Sequence, residues 1–530
     1  MSRYPHTGLF NGPVHSTVIT GAYIQVLDTS SGAILCSTAN FTADDHDVVI
    51  KSGPIRCVAI SQGRNHIATS GDDKHLRIWD LASLAPLSSR ELPKKPTAIQ
   101  FTKNNDILVA DKFGDVFRYP LHPDLEAMSK EPKNDALVSH KNLSGSELVL
   151  GHASVLTCCL LTPDEDFIIT SDRDEHIRVS WYPEGYVIEA YCLGHEKYVS
   201  AIHIPSFASG SLISGGGDPV LKVWDWMTGR LQRNIYVFEA VEPFVMVKAQ
   251  QRRHKSQEDG DDGDDMEGNS GRGRQKKKGK AKQGTPSNDT EDPSNTAASA
   301  MQDAVETETV IVVRKISSLV SDSGNHIVFS IVGATALFAF ILGEGSEPSP
   351  ICHFDCESPV IDFTVADDGS IWILLDAEYV GNMSARTEIR LVRVVRWLRD
   401  QFVEVESTPL LESLNTTCTI PATPAALKTL DLYSDLMSLP KHTGEEPRSQ
   451  GREHSELPEG IHGAFGEGTS AVDQKSLPKR TAGRLKHKLA LQRLQQEKTD
   501  NADSEAPGIK RPRAETGEEA DAQDTPMDET

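Results

Sequence analysis

Short alternations of apolar and polar residues, each closed by a turn rich in Asp and Gly, run through the first half of this chain. The clearest stretch reads Val58-Ala59-Ile60, then His66-Ile67-Ala68-Thr69-Ser70, the turn Gly71-Asp72-Asp73, and Leu76-Arg77-Ile78-Trp79-Asp80. A period of two marks half-buried strands, and the turns between them mark an all-β chain. The pattern returns at intervals of roughly 40 residues. A second copy begins at Gly194-His195, turns at Gly215-Gly216-Gly217-Asp218-Pro219 and ends Leu221-Lys222-Val223-Trp224-Asp225. A third runs from Gly151-His152 to Ile177-Arg178-Val179-Ser180-Trp181. Weaker strand pairs follow at Ile316 to Leu342 and at Val360 to Asp376, the latter around the turn Ala366-Asp367-Asp368-Gly369-Ser370. The apolar run Ile327 to Leu342 is broken by Ser330, Gly333 and Thr335, which predicts two strands and a turn rather than a membrane span.

These copies resemble WD repeats, in which each unit forms one four-stranded blade of a β-propeller. With the N-terminal strands around Ser16 to Leu35, the expected count is about seven blades. The resemblance implies a buried hydrogen-bond network within a blade, built from a turn Asp, a strand Trp, the histidine of Gly-His and a Ser or Thr. Asp73 with Trp79, and Asp218 with Trp224 and His195, fit those places, as does Asp174 at the turn of the third copy. Such residues tie strands together and are structural. Two departures stand out: Ser180 occupies the position of a Trp, and the copy at Leu108 to Tyr119 lacks both Gly-His and Trp. A propeller usually completes its last blade with its first strand, which removes an exposed edge. Val18 to Leu27 is the candidate closing strand.

Two segments interrupt the pattern. Residues 249–308 pass from an acidic run, Glu258 to Glu267, to a basic one, Arg272 to Lys282, and then to a mixture of Ser, Thr, Asn and Pro. So few large apolar residues predict a disordered insertion. The tail, 441–530, is similar, apart from Lys475 to Lys498, a candidate basic helix whose Leu485, Leu489 and Leu494 are too sparse to hold it alone. The predicted organisation is therefore a first propeller part at 1–248, the insertion, a second propeller part at 309–440, and the tail.

Net charge changes the functional picture. The chain carries −23 at neutral pH, and both predicted propeller parts hold more acidic than basic residues. A protein that grips nucleic acid unaided needs a basic footprint, so any RNA is expected to be held mainly by a partner. The eight cysteines form no paired C-x-x-C knuckles, which suggests a reducing compartment. Cys352, His353 and Cys356 lack two closing ligands and read as packing residues, with no metal expected. Met1 to Asn11 has neither the basic flank nor the apolar run of a secretory signal.

The glycines at 215–217 are followed by Asp218-Pro219 and a short strand, whereas a cofactor loop opens a helix after a strand. They read as a hairpin turn, and no phosphate loop, nucleophile elbow or H-E-x-x-H motif is present. The chain is expected not to be an enzyme and to bind no cofactor. Arg178 lies between Ile177 and Val179 on an alternating strand, so its side chain is expected to face away from theirs, towards solvent or a partner carboxylate. A solvated strand face is the alternative. Arg386, Arg390, Arg393, Arg396 and Arg399 interrupt apolar residues late in the chain. Arg390, Arg393 and Arg396 are candidate phosphate contacts, with a solvated blade edge as the alternative. Lys276-Lys277-Lys278 and Lys510-Arg511-Pro512-Arg513 resemble nuclear-import signals, so the nucleus is the expected location.

Four stretches carry a more specific resemblance: Ala110 to Val116, Ser171 to Trp181, Leu193 to Ser200, and Ser214 to Pro219 with Trp224-Asp225-Trp226. Together they resemble the non-catalytic WD-repeat subunit of eukaryotic, in particular fungal, tRNA (guanine-N7) methyltransferase, across roughly residues 50–230. The resemblance implies a heterodimer that forms N7-methylguanosine in tRNA. In it the catalytic subunit carries S-adenosylmethionine, while this propeller stabilises that subunit and helps position tRNA, with no membrane involved. It also implies that Arg178, the basic residue closing the Asp-Arg-Asp-Glu-x-Ile motif, belongs to the subunit interface, with Arg173 and Lys112 as further candidates. A general WD-repeat adaptor, for ribosome assembly or as a substrate receptor, is the alternative function.

Overall fold

The computed structural model describes residues 2–122, 145–249, 309–343, 350–379 and 390–441. Among them, 28 strands form seven antiparallel four-stranded sheets, each contiguous in sequence: 6–37, 57–91, 96–151, 156–192, 199–236, 313–355 and 360–404. These are the blades of a seven-bladed β-propeller, numbered 1 to 7 in chain order. The two weaker regions are real strand pairs. Gly324–Ile331 and Ala336–Ile341 flank a turn at Gly333, and Val360–Val365 and Ser370–Leu375 flank the Asp367-Asp368 turn. The copy without Gly-His and Trp still forms a blade, because Ile107–Asp111 is apolar along nearly its whole length and buried on both faces. The core lies between blades rather than within them: Val199, Leu212 and Trp224 of blade 5 pack with Ile169, Val179 and Cys192 of blade 4.

The ring does not close as the sequence suggests. The strands within Val18 to Leu27 belong to blade 1, which His6–Phe10, His15–Thr20, Tyr23–Asp28 and Ile34–Ser37 complete unaided. No strand among the described residues is shared with blade 7. Blade 1 and blade 7 each hold four strands of their own, so the seam is closed by side-chain packing, with a single antiparallel bridge between Arg3 and Pro421 joining the two ends of the chain. Leu9, Val18 and Leu27 of blade 1 meet Trp372, Leu374, Val392 and Val394 of blade 7, together with Leu410 and Leu414. Thr364 Oγ1 donates to the Leu9 carbonyl at 2.6 Å.

Beyond the last strand, three helices extend past what the strand pattern foretold: Pro409–Asn415, Pro424–Leu430 and Asp435–Ser438. Thr-Pro starts the first two, with the hydroxyls of Thr408 and Thr423 accepting from Leu411 N and Ala426 N and Pro at the first helical position. They pin the seam. His6 hydrogen-bonds the Leu414 carbonyl at 2.9 Å and Thr20 at 2.8 Å, Tyr4 N donates to Ile420 O, and Ala422 N donates to Ser2 O. The segment then runs on over the ends of other blades. Tyr433 donates to Asp376 of blade 7, Leu436 is buried with Tyr198, Val312 and Val332, and Lys441 reaches Asp174 and Glu175 of blade 4. No helix among the described residues is long and apolar enough to cross a membrane.

Candidate partner interface

Blade 5 holds the complete network. His195 bridges Asp218 at 2.6 Å and Ser214 at 2.7 Å, and the Trp224 indole donates to Ser214 Oγ at 2.7 Å. The Asp218 carboxylate also accepts from the backbone of Glu196 and Lys197. Burial acts to raise its pKa, but these donors outweigh it and hold the carboxyl below the usual range. The glycines at 215–217 serve this packing. A side chain at Gly216 would collide with the Tyr198 carbonyl, and one at Gly215 would meet Leu221 and Val313.

In blade 2 the network splits. Trp79 donates to Thr69 at 3.0 Å, while Asp73 takes Arg77 at 3.1 Å and the backbone of His75. Asp73 and Trp79 therefore do not share one network. The reason is local: Ser52-Gly53-Pro54 precedes this blade where Gly-His precedes blade 5, so no imidazole links carboxylate to hydroxyl.

Blade 4 corrects a second expectation. Its network carboxylate is Asp172, not Asp174: His152 reaches Asp172 at 3.0 Å and Thr170 at 2.7 Å. Thr170 and Asp172 are two apart on one strand and so share a face. The matching pair in blade 5 is Ser214 and Gly216, so that blade must take its carboxylate from the turn. Asp172 also accepts from the backbone of Asp174 and His176, shaping a turn that leaves Asp174 partly exposed and 3.6 Å from Lys441.

Ser180 does stand where the indole would, and Arg178 uses the space. Arg178 does not face solvent: it is only 7% exposed. Its guanidinium donates to Ser180 Oγ at 3.0 Å, the Gly151 carbonyl at 3.0 Å and the Gly185 carbonyl at 3.3 Å. It does point away from Ile177 and Val179, as alternation requires, but that face lies against the outer strand of blade 3 and the loop through Gly185. Every one of these acceptors is neutral, and among the described residues no carboxylate forms an ion pair with it. Burial pulls its pKa below the usual arginine range, offset in part by Tyr191 and by the more distant Asp172. A buried cation whose hydrogen bonds all end on neutral oxygens, with Asp172 acting only at a distance, carries a desolvation cost that a directly paired carboxylate would offset. Around it the rim is apolar and open, with Tyr186 78%, Tyr191 42% and Leu193 60% exposed.

The other predicted interface residues lie on the turn face. Lys112 is exposed, and its backbone donates to Lys95 O at 3.1 Å; Arg173 is half-buried, and its backbone donates to Val155 O at 3.0 Å. The late arginines are spent within blade 7. Arg393 forms two bonds to Glu404, Arg390 lies 3.5 Å from the same carboxylate, and Arg396 pairs with Asp368. Cross-strand carboxylates thus neutralise the stripe expected to meet phosphate. Arg386, all of the 249–308 insertion after Ala249, both basic import-like clusters and the basic stretch at 475–498 lie outside the described residues.

The propeller with these networks matches the family described as the tRNA methyltransferase TRM82 WD40 domain, over residues 39–146 and 139–390. The chain belongs to that family. Proteins named tRNA (guanine-N(7)-)-methyltransferase non-catalytic subunit are among its relatives. That of Aspergillus oryzae is 39% identical over 223 residues, 34% of this chain and 45% of its own length. That of Coccidioides immitis is 39% identical over 228 residues, 34% and 44% of the two chains. The wdr4 protein of Dictyostelium discoideum is 36% identical over 191 residues, 35% and 40%. The chain spans a little under half the length of these curated relatives. Among solved structures, the WD40 repeats of RRP9 align at a TM-score of 0.47 and 13% identity, over 74% of this chain and 94% of that one, too distant to bear on function.

Proposed function

We propose that this chain is the non-catalytic scaffold of a tRNA guanine-N7 methyltransferase, bound to a catalytic subunit that carries S-adenosylmethionine. Membership of the TRM82 family supports the reading, and Arg178 gives it a physical basis. A guanidinium buried at the junction of blades 3 and 4, satisfied only by neutral oxygens, is preorganised for a carboxylate from outside. The exposed Tyr186, Tyr191 and Leu193 beside it supply the apolar surround that excludes water from such a pair. Methyl transfer belongs to the partner. This chain contributes interface energy and holds the partner in its competent conformation. Action on tRNA inside the nucleus agrees with the basic clusters at 276–278 and 510–513.

Co-expression with the catalytic subunit, followed by an assay of guanine-N7 methylation, tests this. Arg178→Glu is expected to abolish both co-purification and activity, because it sets a carboxylate against a carboxylate. Arg178→Lys keeps the charge without the fork and should fall between. Methylation that does not depend on this chain would overturn the scaffold reading in favour of a general adaptor. A folded Arg178→Glu chain that still binds would remove that residue from the interface.

A further inference from the structure

Arg77 of blade 2 and Arg178 of blade 4 hold the same place in their blades and turn in opposite directions. Each lies opposite a threonine on the neighbouring strand, Thr69 or Thr170, and two residues ahead of the place held by Trp79 in blade 2 and by Ser180 in blade 4. The turns ahead of them also match. An aspartate stands four residues before each arginine, Asp73 or Asp174, and the residue after it, Lys74 or Glu175, takes a left-handed φ of 58° or 73°. In blade 2 the indole donates to Thr69, and Arg77 turns back to its own Asp73. In blade 4 the missing indole leaves room, and Arg178 turns the other way, onto Ser180, Gly151 and Gly185. Blade 5 offers its cation no such choice, because His195 takes Asp218 and Lys222 donates to Asn234 at 3.1 Å.

Asp174 is compensated from elsewhere. The strap of helices after blade 7 is fixed by Tyr433 on Asp376, by Asp435 on Arg314 at 3.3 Å and by Leu436 among Tyr198, Val312 and Val332. It brings Lys441 to within 3.6 Å of Asp174 and onto Glu175. Two sets of acceptors thus compete for one guanidinium: the neutral oxygens it now holds, and a turn carboxylate that the matching geometry of blade 2 places within an arginine's reach. A bond to a carboxylate is the stronger kind. Drawn to Asp174, Arg178 would already be paired and would offer a partner carboxylate no open charge. We propose that Lys441 is a positioning residue for the partner site: by holding Asp174 and Glu175 it keeps Arg178 off its own turn and available to the catalytic subunit. The proposal rests on the reading that Arg178 receives the partner, and it gives the strap control over that site. Because the Lys441 pairs are largely exposed, the control is graded rather than all-or-none.

The test titrates the full chain against its methyltransferase subunit and measures kcat for guanine-N7 methylation once the two are saturated. Lys441→Gln is expected to weaken binding about twofold and Lys441→Glu about fivefold, the range of an exposed ion pair, with kcat of the assembled enzyme unchanged. Lys441→Arg, which keeps the pair, should bind like the unaltered chain. Asp174→Asn removes the rival acceptor, so alone it should bind as tightly as the unaltered chain or up to about twofold more tightly. In its background both weakening Lys441 variants should lose their effect, a pattern that a purely structural role for Lys441 would not give. Urea denaturation of each chain alone separates folding from binding, and Lys441→Gln carries the test should the charge reversal unfold the protein. Full affinity in a folded Lys441→Glu chain would overturn the proposal and leave Arg178 in the interface, as would a loss that persists beside Asp174→Asn. Tighter binding without Lys441 would also overturn it, making the contact a competitor of the partner. Undiminished binding by Arg178→Glu would instead remove the reading on which the proposal rests.

Discussion

Blades 4 and 5 are neighbours with the same strand register, and they solve the same problem differently. Both need a buried hydroxyl on the second strand to be satisfied. Blade 5 does it with a closed set, Asp218 to His195 to Ser214 to Trp224, in which each polar atom has its partner and the indole fills the volume. Blade 4 keeps the first three parts as Asp172, His152 and Thr170, but gives up the indole for Ser180 and packs Arg178 beside it. The first arrangement is complete in the isolated chain. The second leaves a charge in a low-dielectric place with only neutral acceptors. A repeat can thus remain a sound blade while its buried cation ends on neutral acceptors, the feature on which the proposed partner contact rests.

The largest expected effect separates the two blades by stability alone. Trp224 is fully buried, and Trp224→Ala should destabilise the chain by about 3–5 kcal/mol in urea denaturation. Ser180→Ala at the matching place should cost about 1 kcal/mol, the worth of a single hydrogen bond. Equal losses would mean that the two blades are not built differently. Arg178→Met sharpens the contrast from the other side. The isolated chain should change by no more than about 1 kcal/mol or gain stability, while affinity for the catalytic subunit falls by about 2–5 kcal/mol. A mutant that unfolds without its partner would show Arg178 to be a stabilising residue in its own right.

Acid should reach blade 4 and the ring seam through histidine. Burial and the nearby Arg178 hold His152 below its ordinary 6.5, and burial lowers His6 and His203 to about 4. In each case the folded state excludes a proton that the unfolded chain binds. Their contribution is therefore full above pH 6.5 and is lost as pH falls from there towards 4. For fully buried His6 the loss at pH 5 is about 2 kcal/mol. His6→Asn should flatten the slope of stability between pH 6.5 and 5, and an unaltered slope would contradict this assignment. The smallest effect belongs to Lys441, whose pairing with Asp174 and Glu175 is largely exposed. Lys441→Ala should cost about 0.5 kcal/mol or less, and that remnant should vanish at high salt.

Strand alternation and turn chemistry were enough to read the blades, because both are local. The same local reading placed His195, Asp218 and Trp224 correctly, since blade 5 carries the whole pattern in one stretch of sequence. It misplaced the blade 4 carboxylate, because the turn position of the repeat points to Asp174, whereas the face shared with Thr170 on the strand selects Asp172. Alternation gave the direction of Arg178 but not its burial, which depends on blade 3 and on the loop through Gly185. The arginines at 390, 393 and 396 looked available for the same reason: their partners Glu404 and Asp368 lie across the sheet. Thr408-Pro409 and Thr423-Pro424 did announce the late helices, though the strand pattern drew attention elsewhere.

A seam without a shared strand also sets an order of events during synthesis. Each blade is contiguous, so each can pair its four strands as soon as it leaves the ribosome and then pack on the blade before it. The circle itself stays an open arc. Leu9 and His6 wait for blade 7 and for the helix Pro409–Asn415, and the backbone of Ser2 waits for Ala422. The apolar side of blade 1 is therefore the surface left uncovered longest on the nascent chain.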